Sequence, residues 1–225
     1  MSYLIYIKLK PETFQRFQKI RNQLNENHDE NLAELLGEVL TEISCEVIDQ
    51  VFGVITEKNF KGVGETEHTL DQITANLKKY MPWSITLFSN QRLVPMVNYI
   101  YDQMDDDLGE HFITYQIDEI LALEAYECVK QLDLGHSAYI DATFNVFVQI
   151  VDQGVTRLIR EPKKMLKFNF IVDKTLNGVI NLTTQLGYRR IEKISHQFDI
   201  HTSQDYFRYF MGFLKHYPMK KECTF

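Results

Sequence analysis

The chain has 225 residues, 44% of them apolar and 24% charged, and a formal net charge of −7. That balance excludes an intrinsically disordered segment, and the length suffices to bury a sizeable core. With only 10 Gly and 5 Pro, turns are few and elements long, which favours helices.

The N-terminal "YLIYIKL" suits a short strand, although its apolar residues do not alternate cleanly. Its flanks lack a basic leader, so no secretory signal is expected, and no eighteen-residue apolar run predicts a transmembrane helix. Pro11 fits a first helical position; Phe14, Phe17, Arg21 and Leu24 then share a face, with Ile20 at its edge. Leu32, Leu36, Val39, Leu40, Ile43, Val47 and Val54 mark a second helix. Its acids, Glu34, Glu38, Glu42, Glu46 and Asp49, read as a solvated ridge.

"KNFKGVGE" predicts a loop. A third helix from about Thr66 to Met81 follows, carrying Leu70, Ile73, Leu77 and Met81 and stopping before Pro82. A fourth starts near Pro95 with Val97, Ile100, Tyr101, Met104 and Leu108. Asp107 and Glu110 form a variant capping box for a helix reaching about Leu132. Helices over roughly 137–160, 163–186 and 203–217 complete the pass, the last with Thr202 and Asp205 as a looser cap. The fold class is all-α: a multi-helix bundle of about eight helices in a single domain, 1–225, with room for a short N-terminal strand.

Cys45, Cys128 and Cys223 are odd in number and far apart, without zinc spacing. They predict reduced thiols in a cytoplasmic protein. No cofactor or metal ligand set is expected: Asp105 to Glu110 fails the EF-hand spacing, and Glu65 with His68 is a single Glu-x-x-His where di-iron bundles need two.

Charge is the main lead. Residues 1–154 hold 11 Lys and Arg against 25 Asp and Glu, whereas 155–225 hold 13 against 6. Within the basic part, "RLIREPKKMLKFNF" carries five cations and one acid in fourteen residues. Pro162 is expected to break two helices there. Arg157 and Arg160 would close one helix, the favourable end for cations. Lys163, Lys164 and Lys167 would open the next, the unfavourable end. These five residues are the expected ligand-binding surface of a non-enzymatic binding or regulatory protein. Its partner would be an anionic small molecule or an acidic protein surface, and no membrane is expected to take part. The plainer alternative is that acids of the same fold, or of a homodimer mate, neutralise the cations.

Two alternatives come from other classes. "NLTTQLGYRRIEKI" resembles a helix-turn-helix around Gly187, which would make Arg189, Arg190 and Lys193 the nucleic-acid contacts of a DNA-binding regulator. Glu124 falls on a stripe with Ile113, Ile117, Ile120 and Cys128, which would bury a carboxylate for a hydrolase or lyase in an interhelical pocket. The last helix is rich in aromatics, Tyr206, Phe207, Tyr209, Phe210, Phe213 and Tyr217. They are expected to pack on the core, and they form the first candidate contact if the chain dimerises.

Overall fold

The computed structural model describes residues 2–26, 29–57, 63–107 and 109–217, without the side chains of 54–57, 63 and 217. The side chains of Val54 and Tyr217, most of the 58–65 loop, Leu108 and Cys223 thus lie outside the described residues. The chain runs β1 (Ser2–Leu9), α1 (Pro11–Asn25), α2 (Ala33–Glu57), α3 (Val63–Ile85), α4 (Asn90–Tyr101), β2 (Met104–Asp107) and β3 (Glu110–Ile117). It continues through α5 (Glu119–Asp133), α6 (Ile140–Val155), a π turn (Thr156–Arg160), α7 (Glu161–Met165), α8 (Phe170–Ser195), α9 (Ile200–Met211) and β4 (Leu214–Tyr217). The helical bundle stands, and the N-terminal strand is present. Three further strands join it in an antiparallel sheet of order β2-β3-β1-β4.

The sheet explains the imperfect alternation at the N-terminus. Tyr3, Ile5, Ile7 and Leu9 are all buried on one face of β1 and pair in register with Ile117, Tyr115, Ile113 and His111. Tyr6 also packs, on the opposite face, edge-on to Phe112 at 5.7 Å. Both faces of the central strands are therefore covered, so apolar residues occupy odd and even positions alike.

Several boundaries differ from the sequence expectation. "DDDLGEHF" is not a helix cap but a hairpin: Asp107 pairs with Glu110, and Gly109 takes φ +82° in the turn. The helix expected from there to Leu132 is β3 followed by α5. Helix α4 starts earlier, at Asn90, and Met104 belongs to a strand. Helix α3 does not stop before Pro82 but runs on to Ile85, with the Pro82 carbonyl accepting from the Thr86 amide at 3.1 Å. Here α2 comes so close that a Cβ on Gly37 would lie 2.6 Å from the Pro82 Cα, so position 37 requires glycine. Helix α9 is capped by Asp199, whose carboxylate accepts from the Thr202 amide at 2.7 Å, rather than by Thr202.

The acidic ridge of α2 is solvated only in part. Glu42 and Glu38 pair with Arg16, but Glu46 is buried. It accepts from the Lys10 amide at 2.9 Å and the Thr13 hydroxyl at 2.6 Å. Lys10 is the N-cap residue of α1, so a carboxylate borrowed from α2 satisfies the start of α1 that its own cap side chain leaves open.

Candidate functional site

The basic segment folds differently from expectation. The chain does not break at Pro162: helical backbone continues through the π turn into α7, with Arg160 and Glu161 both in αR conformation. Pro162 stands in the first turn of α7, directly after the π turn, where a backbone N–H is not required for the helix. The break comes after Met165, where Lys167 takes φ +50° and Asn169 caps α8 by accepting from the Val172 amide at 3.0 Å. Lys163 and Lys164 therefore lie in the last turn of α7, the end that favours cations, and not at a helix start.

Three of the five cations meet carboxylates of the same chain. Arg157 reaches Glu161 at 3.1 Å, and Glu161 also accepts from the Tyr99 hydroxyl at 2.5 Å. Burial, and then that hydrogen bond, push the Tyr99 phenol up to about 12. Arg160 reaches Asp152 at 2.8 Å, and the same carboxylate oxygen accepts from the Tyr188 hydroxyl at 2.7 Å. Lys163 pairs with Asp173 of α8. Lys164 and Lys167 are exposed.

Lys163 also borders a cavity of about 260 Å³. The α2–α3 hairpin forms one wall. The end of α6, the π turn and α8 form the other, and Ile7, Ile113 and Tyr115 of the sheet close the floor. Its α8 wall runs from Leu176 to Tyr188, thirteen residues or about 18 Å of helix. The lining is chiefly aliphatic. Its polar side chains mostly have partners: Ser44 donates to the Leu40 carbonyl, Ser84 to Met81, Thr184 to Ile180, and Asn76 to the Thr183 hydroxyl.

Tyr80 and Tyr115 are the exceptions, and of the two Tyr115 is the buried one. It is buried at 4% exposure, and its hydroxyl makes no hydrogen bond among the described residues. Burial raises its pKa, with Tyr188 nearby adding to the effect, so it remains a neutral phenol able to donate or accept. It fits only because residue 154 is glycine; a Cβ there would come within 2.8 Å of its ring.

No family model, curated protein or solved structure matches this chain.

The other sequence candidates lie elsewhere. Residues 181–194 belong to the uninterrupted α8, so the turn expected at Gly187 is absent. Gly187 instead lines the cavity. Arg190 is buried, with its guanidinium 2.6 Å from Glu65 and 2.8 Å from the Thr66 hydroxyl, while Arg189 and Lys193 are exposed. Glu124 is exposed on α5 and outside the cavity. The stripe that would have buried it is split between β3 and α5, and α5 instead buries Leu121, Ala122, Ala125, Cys128 and Leu132. Among the described residues no three His, Cys, Asp or Glu side chains converge as a metal site. Tyr115, Tyr188 and Asp152 escaped the sequence reading. The available signal was a glycine inside each of two apolar helical stretches, at 154 and 187.

Proposed function

We propose that the protein is a non-enzymatic binding module. It holds an elongated, largely apolar small molecule with an anionic head in the interior cavity. The observation that carries this is an aliphatic cavity bordered by one largely buried ammonium, Lys163, whose side chain is 11% exposed. Apolar walls supply affinity without direction, and a few placed polar groups set the ligand's orientation. The head group sits against Lys163 and displaces Asp173, which is half-exposed and returns to water at little cost. The Tyr115 hydroxyl serves a second polar atom farther along the cavity. In this form the basic segment keeps its anionic partner, narrowed from the whole cluster to one lysine.

A fluorescent amphiphilic anion, anilinonaphthalene sulfonate, tests the idea. It should bind the folded chain and be displaced by long-chain carboxylates. Lys163→Met should weaken the carboxylates about tenfold, the scale of one charge-assisted contact, and leave the matching alcohols unchanged. Val179→Phe, which narrows the cavity, should weaken both. Equal loss of acid and alcohol in Lys163→Met removes the head-group assignment. Unaltered binding in Val179→Phe removes the cavity itself.

A further inference from the structure

The corner of the fold outside Lys163 has an unusual surface. Phe170 and Ile171 are 81% and 76% exposed at the start of α8, and Met165 is exposed at the end of α7. The α3–α4 corner sits beside them: Phe88 meets Phe168 edge-on at 4.7 Å, and Arg92 donates to the Leu166 carbonyl at 2.6 Å. That corner contributes Leu87 and, one turn back, Trp83, both exposed. Single exposed apolar side chains need no explanation, but five large ones on adjoining segments do.

The charges around them are predominantly positive. Residues 83–92 and 163–174 together hold five cations, Arg92, Lys163, Lys164, Lys167 and Lys174, and one acid, Asp173. Asp173 is engaged by Lys163. A second exposed apolar set, Ile120, Leu123 and Tyr126 on α5, lies among acids instead: Glu119, Glu124 and Glu127. Aromatic and aliphatic tips within a ring of lysines match the boundary of an anionic bilayer, where rings reach the acyl chains and ammonium groups meet phosphates and carboxylates.

We propose that this corner docks on an anionic lipid surface, with Phe170 and Ile171 inserted and Lys164, Lys167 and Lys174 on the head groups. Surface docking needs no spanning helix, and none of the helices among the described residues is long and apolar enough to cross a membrane. The sequence expectation of no membrane partner rested on the lack of an eighteen-residue apolar run. That excludes crossing but does not bear on a patch assembled from two distant segments. Lys163 links the patch to the cavity, so a ligand could pass between bilayer and interior at this corner. The docking itself stands without that step.

Trp83 is the chain's single tryptophan and lies in the patch, so it reports directly. With vesicles of phosphatidylcholine and phosphatidylserine, the full chain should co-sediment and the Trp83 emission should shift to the blue. Vesicles of phosphatidylcholine alone should do neither. Binding should weaken as salt rises. Phe170→Ser with Ile171→Ser should reduce partitioning about tenfold or more, as should Lys164→Glu with Lys167→Glu. Leu123→Ser on α5 should change nothing. Absence of serine-lipid-dependent binding overturns the proposal, as does binding that survives both double substitutions or falls equally in Leu123→Ser. Displacement of the fluorescent anion in vesicle-free buffer is a separate readout, so failure on vesicles leaves the cavity assignment intact.

Discussion

The first half of α6 and its second half carry one continuous stripe into two different interiors. Phe144 and Phe147 meet Phe198, Tyr206, Phe207 and Phe210 with ring centroids 4.5–6.2 Å apart, mostly edge to face. Two turns later the stripe becomes Val151, Gly154 and Val155, and these border the cavity. The backbone scaffold is the same; side-chain volume differs. Six rings fill the space between α6 and α9. On the other side, α6 and α8 set Val151, Val155, Val179, Thr183, Thr184 and two glycines, 154 and 187, among longer aliphatic side chains, and the space stays open. Close packing is the default for a protein interior. A hollow flanked by such a well-packed cluster is thus a property of the residues chosen there rather than of the fold.

Truncation on both sides of α6 separates the two interiors by the largest effect. Phe147→Ala should cost about 3–5 kcal/mol, because a ring removed from a filled cluster loses both transfer energy and partners. Val155→Ala should cost under about 1 kcal/mol, since part of that side chain already faces open space. Denaturant midpoints at constant slope measure both. Equal costs would mean that the two interiors are packed alike.

How far the sequence shows this depends on the kind of feature. The aromatic cluster was legible: Tyr206, Phe207 and Phe210 follow helical spacing and have an apolar stripe to meet. The lysine-rich segment was legible as a charge cluster, but its meaning depended on where the helix ends. Pro162 signals a break, and a π turn that leads straight into a new first turn holding the proline leaves no local mark. That shift of a few residues moved Lys163 from an unfavourable helix start to a favourable helix end. Glu46 shows the same limit, since its α2 neighbours are solvated and only contact with α1 distinguishes it. The hairpin at Gly109 was obscured by acids that suit a helix cap equally well. The cavity was the least legible feature, because it is made of ordinary apolar residues far apart in sequence.

The clasp within one wall, between α6 and α8, gives a smaller effect with a pH signature. Partial burial raises the Asp152 carboxyl, but the Tyr188 hydroxyl and the Arg160 guanidinium outweigh it and hold the group below its ordinary 3.8. An acid depressed in the native state stabilises the fold above its unfolded value, and that stabilisation is lost as pH falls through the native value. Stability should therefore fall more steeply below about pH 4 in the unaltered chain than in Asp152→Asn. At neutral pH the substitution should cost about 1 kcal/mol, discounted because the pair is partly solvated. Parallel acid limbs would show that this clasp does not couple α6 to α8.

The finest comparison lies within α8, between its two glycines. Gly178 is exposed, and a Cβ there would meet nothing within 4 Å; at Gly187 it would meet the Ile73 side chain at 3.6 Å, an ordinary contact. Alanine at either position should stabilise the helix by about 0.5–1 kcal/mol through backbone entropy alone. Leucine separates the two. Gly178→Leu extends into solvent and should leave binding of the fluorescent anion unchanged. Gly187→Leu occupies cavity volume, so it should stabilise at least as much and bind the anion less. That inverse relation between stability and binding is what a hollow kept for a ligand produces, because filling it gains packing and loses the occupant's place. If Gly187→Leu gains stability and binds as before, the open space beside α8 is slack in the packing, and the aromatic cluster marks only the better-filled end of one core.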